Sequence, residues 1–187
     1  MRVALLSLCL LAAAPATAQL AAERLPACLA CHGAAGVSAT ENVPSLGGQP
    51  ADYVLVQLYL FREKQRVVEP MNAMAEGLTD EDLQTLGDAM AKLPPPVATG
   101  AALDAASLEL GRDLAAKYRC GSCHNADYSG REQIPRLAAQ REDYLIKALT
   151  EYKSNARAGY EPAMNAVAQE VKAEEIAVLA RYLAQFR

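Results

Sequence analysis

Apolar positions in this chain recur at helical rather than strand spacing. Leu83, Leu86, Met90 and Leu93 fall three or four residues apart, directly after Thr79-Asp80-Glu81-Asp82, an acidic start that suits a helix N-terminus. Ile176, Leu179 and Leu183 repeat the pattern after Ala173-Glu174-Glu175. Tyr53 to Arg62 and Tyr144 to Lys153 each read as a helix that follows a Pro-containing loop. No stretch alternates apolar and polar residues as a half-buried strand would, so the pattern predicts an all-α fold. The longest apolar run, Val3 to Ala14, follows Met1-Arg2 and precedes Pro15-Ala16-Thr17-Ala18-Gln19. It falls short of the roughly 20 residues that span a bilayer. A basic start, a short apolar core and a small-x-small site read as a secretory signal peptide over residues 1–18, cleaved after Ala18, which implies export to a bacterial periplasm.

The rest of the chain repeats itself once. Pro44-Ser45-Leu46-Gly47-Gly48-Gln49 matches Pro135-Arg136-Leu137-Ala138-Ala139-Gln140, Asp52-Tyr53 matches Asp143-Tyr144, and Arg66 matches Arg157. The length allows two copies of one unit and not a solenoid. Between the copies lies Leu93-Pro94-Pro95-Pro96-Val97-Ala98-Thr99-Gly100, where consecutive prolines stop a helix and favour an extended, stiff path. The expected organisation is a first domain over 19–93, a Pro-rich linker over 94–104 and a second domain over 105–187. Domains this small have thin cores and commonly need a metal or a covalent staple. The chain has no Trp and only two Phe, so aromatic packing rests on eight Tyr.

The staple is visible in the repeat. Cys28-Leu29-Ala30-Cys31-His32 recurs as Cys120-Gly121-Ser122-Cys123-His124. Cys-x-x-Cys-His is the attachment pattern of a c-type haem: both thiols add to the vinyl groups of one porphyrin and the adjacent His binds its iron. Two motifs imply two covalent haem c groups, and two haems imply electron transfer. Of the five Cys, Cys9 leaves with the signal and the other four all lie in the motifs. No thiol is left for the disulfides that export would otherwise suggest. A thioredoxin-like site would need a βαβ context that the pattern lacks, and a zinc site would leave the methionine loops described next without a role.

The only two His of the chain are in the motifs. Bis-His iron and His-dependent nucleophilic catalysis are therefore excluded, and the sixth iron position falls to Met or another ligand, or stays open. Met opposite His is the arrangement that raises the potential of electron carriers. In the second half Met164 is the only Met after residue 90. In the first half Met71, Met74 and Met90 compete. Met90 sits on an apolar helix stripe and reads as core. Met71-Asn72-Ala73 aligns with Met164-Asn165-Ala166, so Met71 is preferred over Met74, which falls opposite Val167. The expected iron ligands are His32 with Met71 and His124 with Met164.

Charge adds an asymmetry. Residues 19–96 carry 10 Asp and Glu against 5 Lys and Arg, whereas residues 97–187 carry 12 of each. An acidic half argues against nucleic acid. Its field could orient a docking partner, and it serves solubility equally well.

On Cys28-Leu-Ala-Cys31-His32-Gly33, Pro44-Ser-Leu-Gly-Gly-Gln49, Tyr53, the Met71 loop and their second-half counterparts, the chain resembles the dihaem class I cytochromes c of the cytochrome c4 type. The resemblance covers nearly the whole mature chain. It implies two tandem cytochrome c folds joined by a linker and a periplasmic electron carrier in a respiratory chain rather than an enzyme. The donor would be a quinol-oxidising complex or a dehydrogenase and the acceptor a terminal oxidase, with any membrane association made through these partners. Two departures stand out. Only Gln19 to Ala27 precede the first haem motif, and Ala89 stands where the second half has Tyr182, which predicts a weaker helix contact in the first half. A short first domain also resembles the dihaem subunit of flavocytochrome c sulfide dehydrogenases, the alternative reading. A dihaem peroxidase would need an open or switchable iron site.

Overall fold

The computed structural model describes residues 16–157 and 162–187, with side chains from residue 23 onward. The expected export signal, residues 1–18, lies outside the described residues apart from Ala16 to Ala18, which open the first helix. Helix order repeats once. The first half holds α1 (Ala16–His32), α2 (Ala51–Arg62), α3 (Met71–Ala75) and α4 (Asp80–Lys92). The second holds α5 (Ala105–Lys117), α6 (Cys120–His124), α7 (Glu142–Lys153), α8 (Pro162–Glu170) and α9 (Ile176–Ala184), the last entered through a single 3₁₀ turn. Among the described residues there is no strand, only one bridged pair, Arg131 with Ile134.

The helix starts follow from local chemistry. Thr79 caps α4 by accepting from the Asp82 amide, and the Asp82 carboxylate accepts from the Thr79 amide in return. Asp104 caps α5 through the Ser107 amide. The apolar stripes face inward: Leu83, Leu86 and Met90 of α4 and Ile176, Leu179 and Leu183 of α9 are all buried. In each half the last helix is the centre of packing. It receives α1 and α2 in the first half, and α5 and α7 in the second.

The two copies differ where their surroundings differ. In the first half α1 runs unbroken through the haem motif, so the short lead and the motif form one helix of 17 residues. In the second half the helix stops at Lys117, Arg119 takes a left-handed conformation (φ 52°), and the motif forms its own short helix. Tyr118 just before that break donates its hydroxyl to the Glu175 carboxylate, tying the break to the entry of α9. The α5–α9 crossing is close: a Cβ on Gly111 would lie 2.5 Å from Tyr182 Cβ. Tyr128, Tyr182 and Phe186 then pack edge to face around it. The matching first-half cluster joins Leu25, Leu29 and Leu93 to Tyr53, Val54 and Met90.

The linker explains another difference. Pro94 and Pro95 lie on Gly47 and Gly48, where a Cβ would meet Pro94 O at 2.3 Å and Pro95 Cβ at 2.8 Å. The second copy has Ala138 and Ala139 there, without prolines on them, while the main-chain bond to the last helix is common to both copies: Gly48 N–H to Met90 O and Ala139 N–H to Leu183 O. At the linker's far end, Arg187 donates to Gly100 O at 3.1 Å. The proline segment is therefore packed down at both ends.

The halves also bond to each other directly. Arg141 donates to Ser38 O, and the Asn42 amide donates to the Asp143 carboxylate at 2.9 Å. Burial pushes the Asp143 carboxyl up, but the Arg141 guanidinium and the Asn42 and Tyr144 amides outweigh it and hold the group below its ordinary value. A depressed carboxyl contributes stability that is complete above its unfolded pKa of about 3.9 and is lost as pH falls through the folded value. The fall in thermal midpoint below about pH 4 should accordingly be shallower in Asp143→Asn than in the unaltered protein. Parallel curves in this acid window would show that this contact does not couple pH to stability.

Candidate haem centres

Helical spacing puts Cys28, Cys31 and His32 on one face at the end of α1, and Cys120, Cys123 and His124 on one face of α6. Both His are buried, at 5% and 8% exposure. Each ring is fixed the same way: His32 Nδ1 lies 2.8 Å from Pro44 O, and His124 Nδ1 lies 2.8 Å from Pro135 O. A carbonyl can only accept, so the proton is on Nδ1 and the Nε2 lone pair is free for a metal. Burial pulls both imidazoles below their ordinary pKa, against the opposing pull of the proline carbonyls, which keeps them neutral and able to ligate. Burial likewise pushes the Cys28 and Cys120 thiols up. All four thiols are unbridged. Among the described residues no three His, Cys, Asp or Glu converge on a metal-ion position.

The structure separates the three first-half methionines. Met71 opens α3 and packs, together with Cys28, against the cluster of Phe61, Ala75, Leu78, Leu83 and Leu86. Met74 is on the surface at 42% exposure, and Met90 is sealed in the core at 2%. In the second half Met164 lies in α8 and lines a cavity of 480 Å³ together with Cys120, Cys123 and His124. The Tyr160 and Glu161 part of its loop lies outside the described residues.

Sequence reasoning gave no role to the Asn that follows each Met. Asn72 is buried, donates to Phe61 O and Arg66 O at 2.8 Å, and accepts from the Val68 amide. Asn165 reaches the equivalent carbonyls, Tyr152 O and Arg157 O, at 3.4 and 3.3 Å. Each Asn thus fastens the methionine loop to the end of α2 or α7. The repeat of Met-Asn-Ala was the available signal.

Sequence reasoning also gave no role to the polar group between the halves. Arg157 is buried and donates to the Tyr53 and Tyr144 hydroxyls and to Gln57 Oε1, which also accepts from Arg66 at 2.7 Å. Burial pushes the Tyr144 phenol up, and the Arg157 and Arg66 guanidiniums pull it down further than that. The cavity extends into this region. It is apolar along Leu145, Leu149, Leu179 and Leu183, while Arg66 Nε and Arg136 Nε at its margin are buried without a hydrogen-bond partner among the described residues. Two thiols, a neutral His, a thioether, apolar walls and two unsatisfied guanidinium donors suit one ligand type. That ligand is a flat apolar ring with carboxylate side arms, so the donor set fits haem c.

Residues 108–187 match the cytochrome c family. The chain is 33% identical over 171 residues to cytochrome c4 of Thiocapsa roseopersicina, covering 83% of this chain and 85% of the relative. It is 31% identical over 156 residues to a thiosulfate dehydrogenase electron acceptor of Thiomonas intermedia, covering 79% and 72% respectively. Its fold superposes on the crystal structure of reduced recombinant cytochrome c4 from Pseudomonas stutzeri with a TM-score of 0.79 at 26% identity, over 94% of this chain and 100% of that one. The resemblance seen in the motifs is thereby borne out, as is the fold class: all-α, with two tandem cytochrome c-type units. This chain belongs to the cytochrome c4 family and is an electron-transfer protein that carries covalently bound haem c.

Proposed function

We propose that the chain is a periplasmic carrier in a respiratory chain, holding two His/Met-ligated haems in units 19–93 and 105–187 on either side of the linker 94–104. Cys28 and Cys31 would hold the first haem and Cys120 and Cys123 the second, with His32 and Met71, and His124 and Met164, on the irons. The observation that carries this reading is the duplication itself. Each half presents a Cys-x-x-Cys-His helix, a buried His fixed through Nδ1 by a proline carbonyl, and a methionine loop fastened by Asn. A bound haem supplies one-electron chemistry, cycling between ferrous and ferric iron. The chain's own residues orient the imidazole, present the thioether, exclude water along the leucine-lined wall and offer the Arg66 and Arg136 guanidiniums, which would pair with the carboxylate arms. Among the described residues no helix is long and apolar enough to cross a membrane.

A second reading makes the chain the electron-accepting subunit of an oxidoreductase complex, related in role to the flavocytochrome c sulfide dehydrogenase subunit. The relative described as a thiosulfate dehydrogenase electron acceptor favours it. Spectroelectrochemical titration of the holo-protein tests the first reading: two haems per chain, a red methionine–iron band in the ferric state and two one-electron steps are expected. One haem per chain, or rapid cyanide binding at both irons, would overturn it. Native gel filtration separates the two readings, since a free carrier elutes as a small protein and a subunit elutes with a larger one.

A further inference from the structure

The peptide unit between Pro44 and Ser45 is engaged at both ends. Its carbonyl accepts from His32 Nδ1 at 2.8 Å, and its N–H, on Ser45, donates to Gln140 Oε1 at 2.8 Å. Gln140 belongs to the other half. The arrangement recurs with the halves exchanged: Pro135 O accepts from His124 Nδ1 at 2.8 Å, and the Arg136 N–H donates to Gln49 Oε1 at 2.9 Å. Each glutamine is held in place by its own amide, which donates back across the interface: Gln140 Nε2 to Ser45 O at 2.9 Å and Gln49 Nε2 to Arg136 O at 3.0 Å. Both glutamines are buried.

Gln49 and Gln140 are counterparts in the repeat, as are Ser45 and Arg136. The sequence therefore keeps the same pair in both copies, and the fold uses it in crossed fashion. Hydrogen bonds in such a chain polarise one another. An acceptor on the peptide N–H makes the carbonyl of that peptide a stronger acceptor, which draws the Nδ1 proton away from the imidazole. A more electron-rich imidazole is a stronger donor through Nε2 and favours the ferric over the ferrous state.

We propose that each glutamine tunes the redox site of the opposite half: Gln140 acts on His32, and Gln49 acts on His124, through one shared peptide unit. They are positioning residues in this role, since each reaches the imidazole only through the intervening peptide unit. The proposal rests on the reading of His32 and His124 as iron ligands. If it holds, the order of the two potentials is written partly in the interface, and separating the halves would change both.

The test uses the full holo-protein and its Gln140→Met and Gln49→Met variants, which keep side-chain length and lose the acceptor. The two His are the only ones in the chain, so ¹⁵N-histidine labelling reports each site separately. In Gln140→Met the first haem's ferrous-to-ferric ratio at fixed ambient potential should rise about threefold, equal to about 28 mV at 59 mV per tenfold. Only the His32 Nδ1 resonance should move with it. Gln49→Met should do the same to the second haem and His124. Gln140→Glu and Gln49→Glu keep the acceptor oxygen and add charge, and should shift the opposite-half haem the other way; they carry the test if the Met variants fail to load haem. A purely structural role would loosen the interface and move both haems together in every variant. That result, no shift at all, or a shift confined to the glutamine's own half would overturn the proposal. Labelled His resonances without any effect of the iron would instead refute the ligand assignment on which it rests.

Discussion

Protein made without haem is expected to lack an ordered second half. The cavity framed by Cys120, Cys123, His124 and Met164 measures 480 Å³. At about 24 cal/mol per Å³ of unfilled core volume, leaving it empty would cost up to about 12 kcal/mol. Partial collapse and entry of water lower that figure. The upper bound alone is of the size of the whole stability of an ordinary domain, about 5–15 kcal/mol. Leu145, Leu179 and Leu183 face this space from α7 and α9, so its collapse takes the packing of both helices with it. A Cys120→Ala/Cys123→Ala double variant, which cannot hold the second haem covalently, should keep much of its far-UV helix signal. It should lose near-UV ellipticity, bind ANS and be cut by protease within residues 105–187. A double variant that melts cooperatively within a few degrees of the holo-protein would show that the helices do not depend on the haem.

The features legible in the sequence were those that the chain writes locally or writes twice. The apolar stripes of α4 and α9, the Thr79 cap and the order of helices all follow from spacing within a dozen residues. Met71 was separated from Met74 only because the second half has a single candidate to align with it, and the structure adds that Met71 shares a hydrophobic cluster with Cys28 while Met74 is exposed. What stayed hidden depends on pairings between the halves. Nothing in Pro-Ser-Leu-Gly-Gly-Gln says that Gln49 will bond to the main chain of Arg136, far away in the chain. The change from Gly47-Gly48 to Ala138-Ala139 looks like drift until Pro94 and Pro95 are seen lying on the glycines. The break between α5 and α6 rests on one residue in a left-handed conformation, Arg119, and side-chain type gives no warning of it. The expected weakness of the first-half helix contact is not seen: α1 packs on α4 as α5 packs on α9, and a cluster of Tyr53, Val54 and Met90 with Leu25, Leu29 and Leu93 takes the place of the Tyr128–Tyr182–Phe186 group.

Met164→Ala should remove one of two methionine–iron bonds and leave the other intact. Met164 is half-buried on the cavity wall, and Asn165 fastens the next residue to Tyr152 O and Arg157 O. The loop should therefore keep its position when the thioether is deleted, and the loss should be one of ligation rather than of fold. Haem axial ligands set potentials over roughly 0.8 V, and exchanging a thioether for water should lower the second haem's potential by on the order of 0.1–0.3 V. The red methionine–iron band should fall to about half its amplitude, and cyanide should bind one iron per chain quickly. Met71→Ala should do the same to the first haem, and the double variant should abolish the band. Met74→Ala is the decisive control, because its side chain is on the surface and outside the Cys28 cluster. It should leave the band and both potentials in place. If Met74→Ala halves the band and Met71→Ala does not, the register of the repeat has been misread by three residues, close to one helical turn. Asn72 fastens one methionine loop to α2 and Asn165 the other to α7, and their shared anchors, Arg66 and Arg157, meet at Gln57, so a departure from additivity in the double variant measures coupling through that group. The crossed glutamine bonds carry influence from one half to the other's histidine and touch neither methionine loop, so the coupling they carry should respond to Gln49 and Gln140 and persist in the methionine variants.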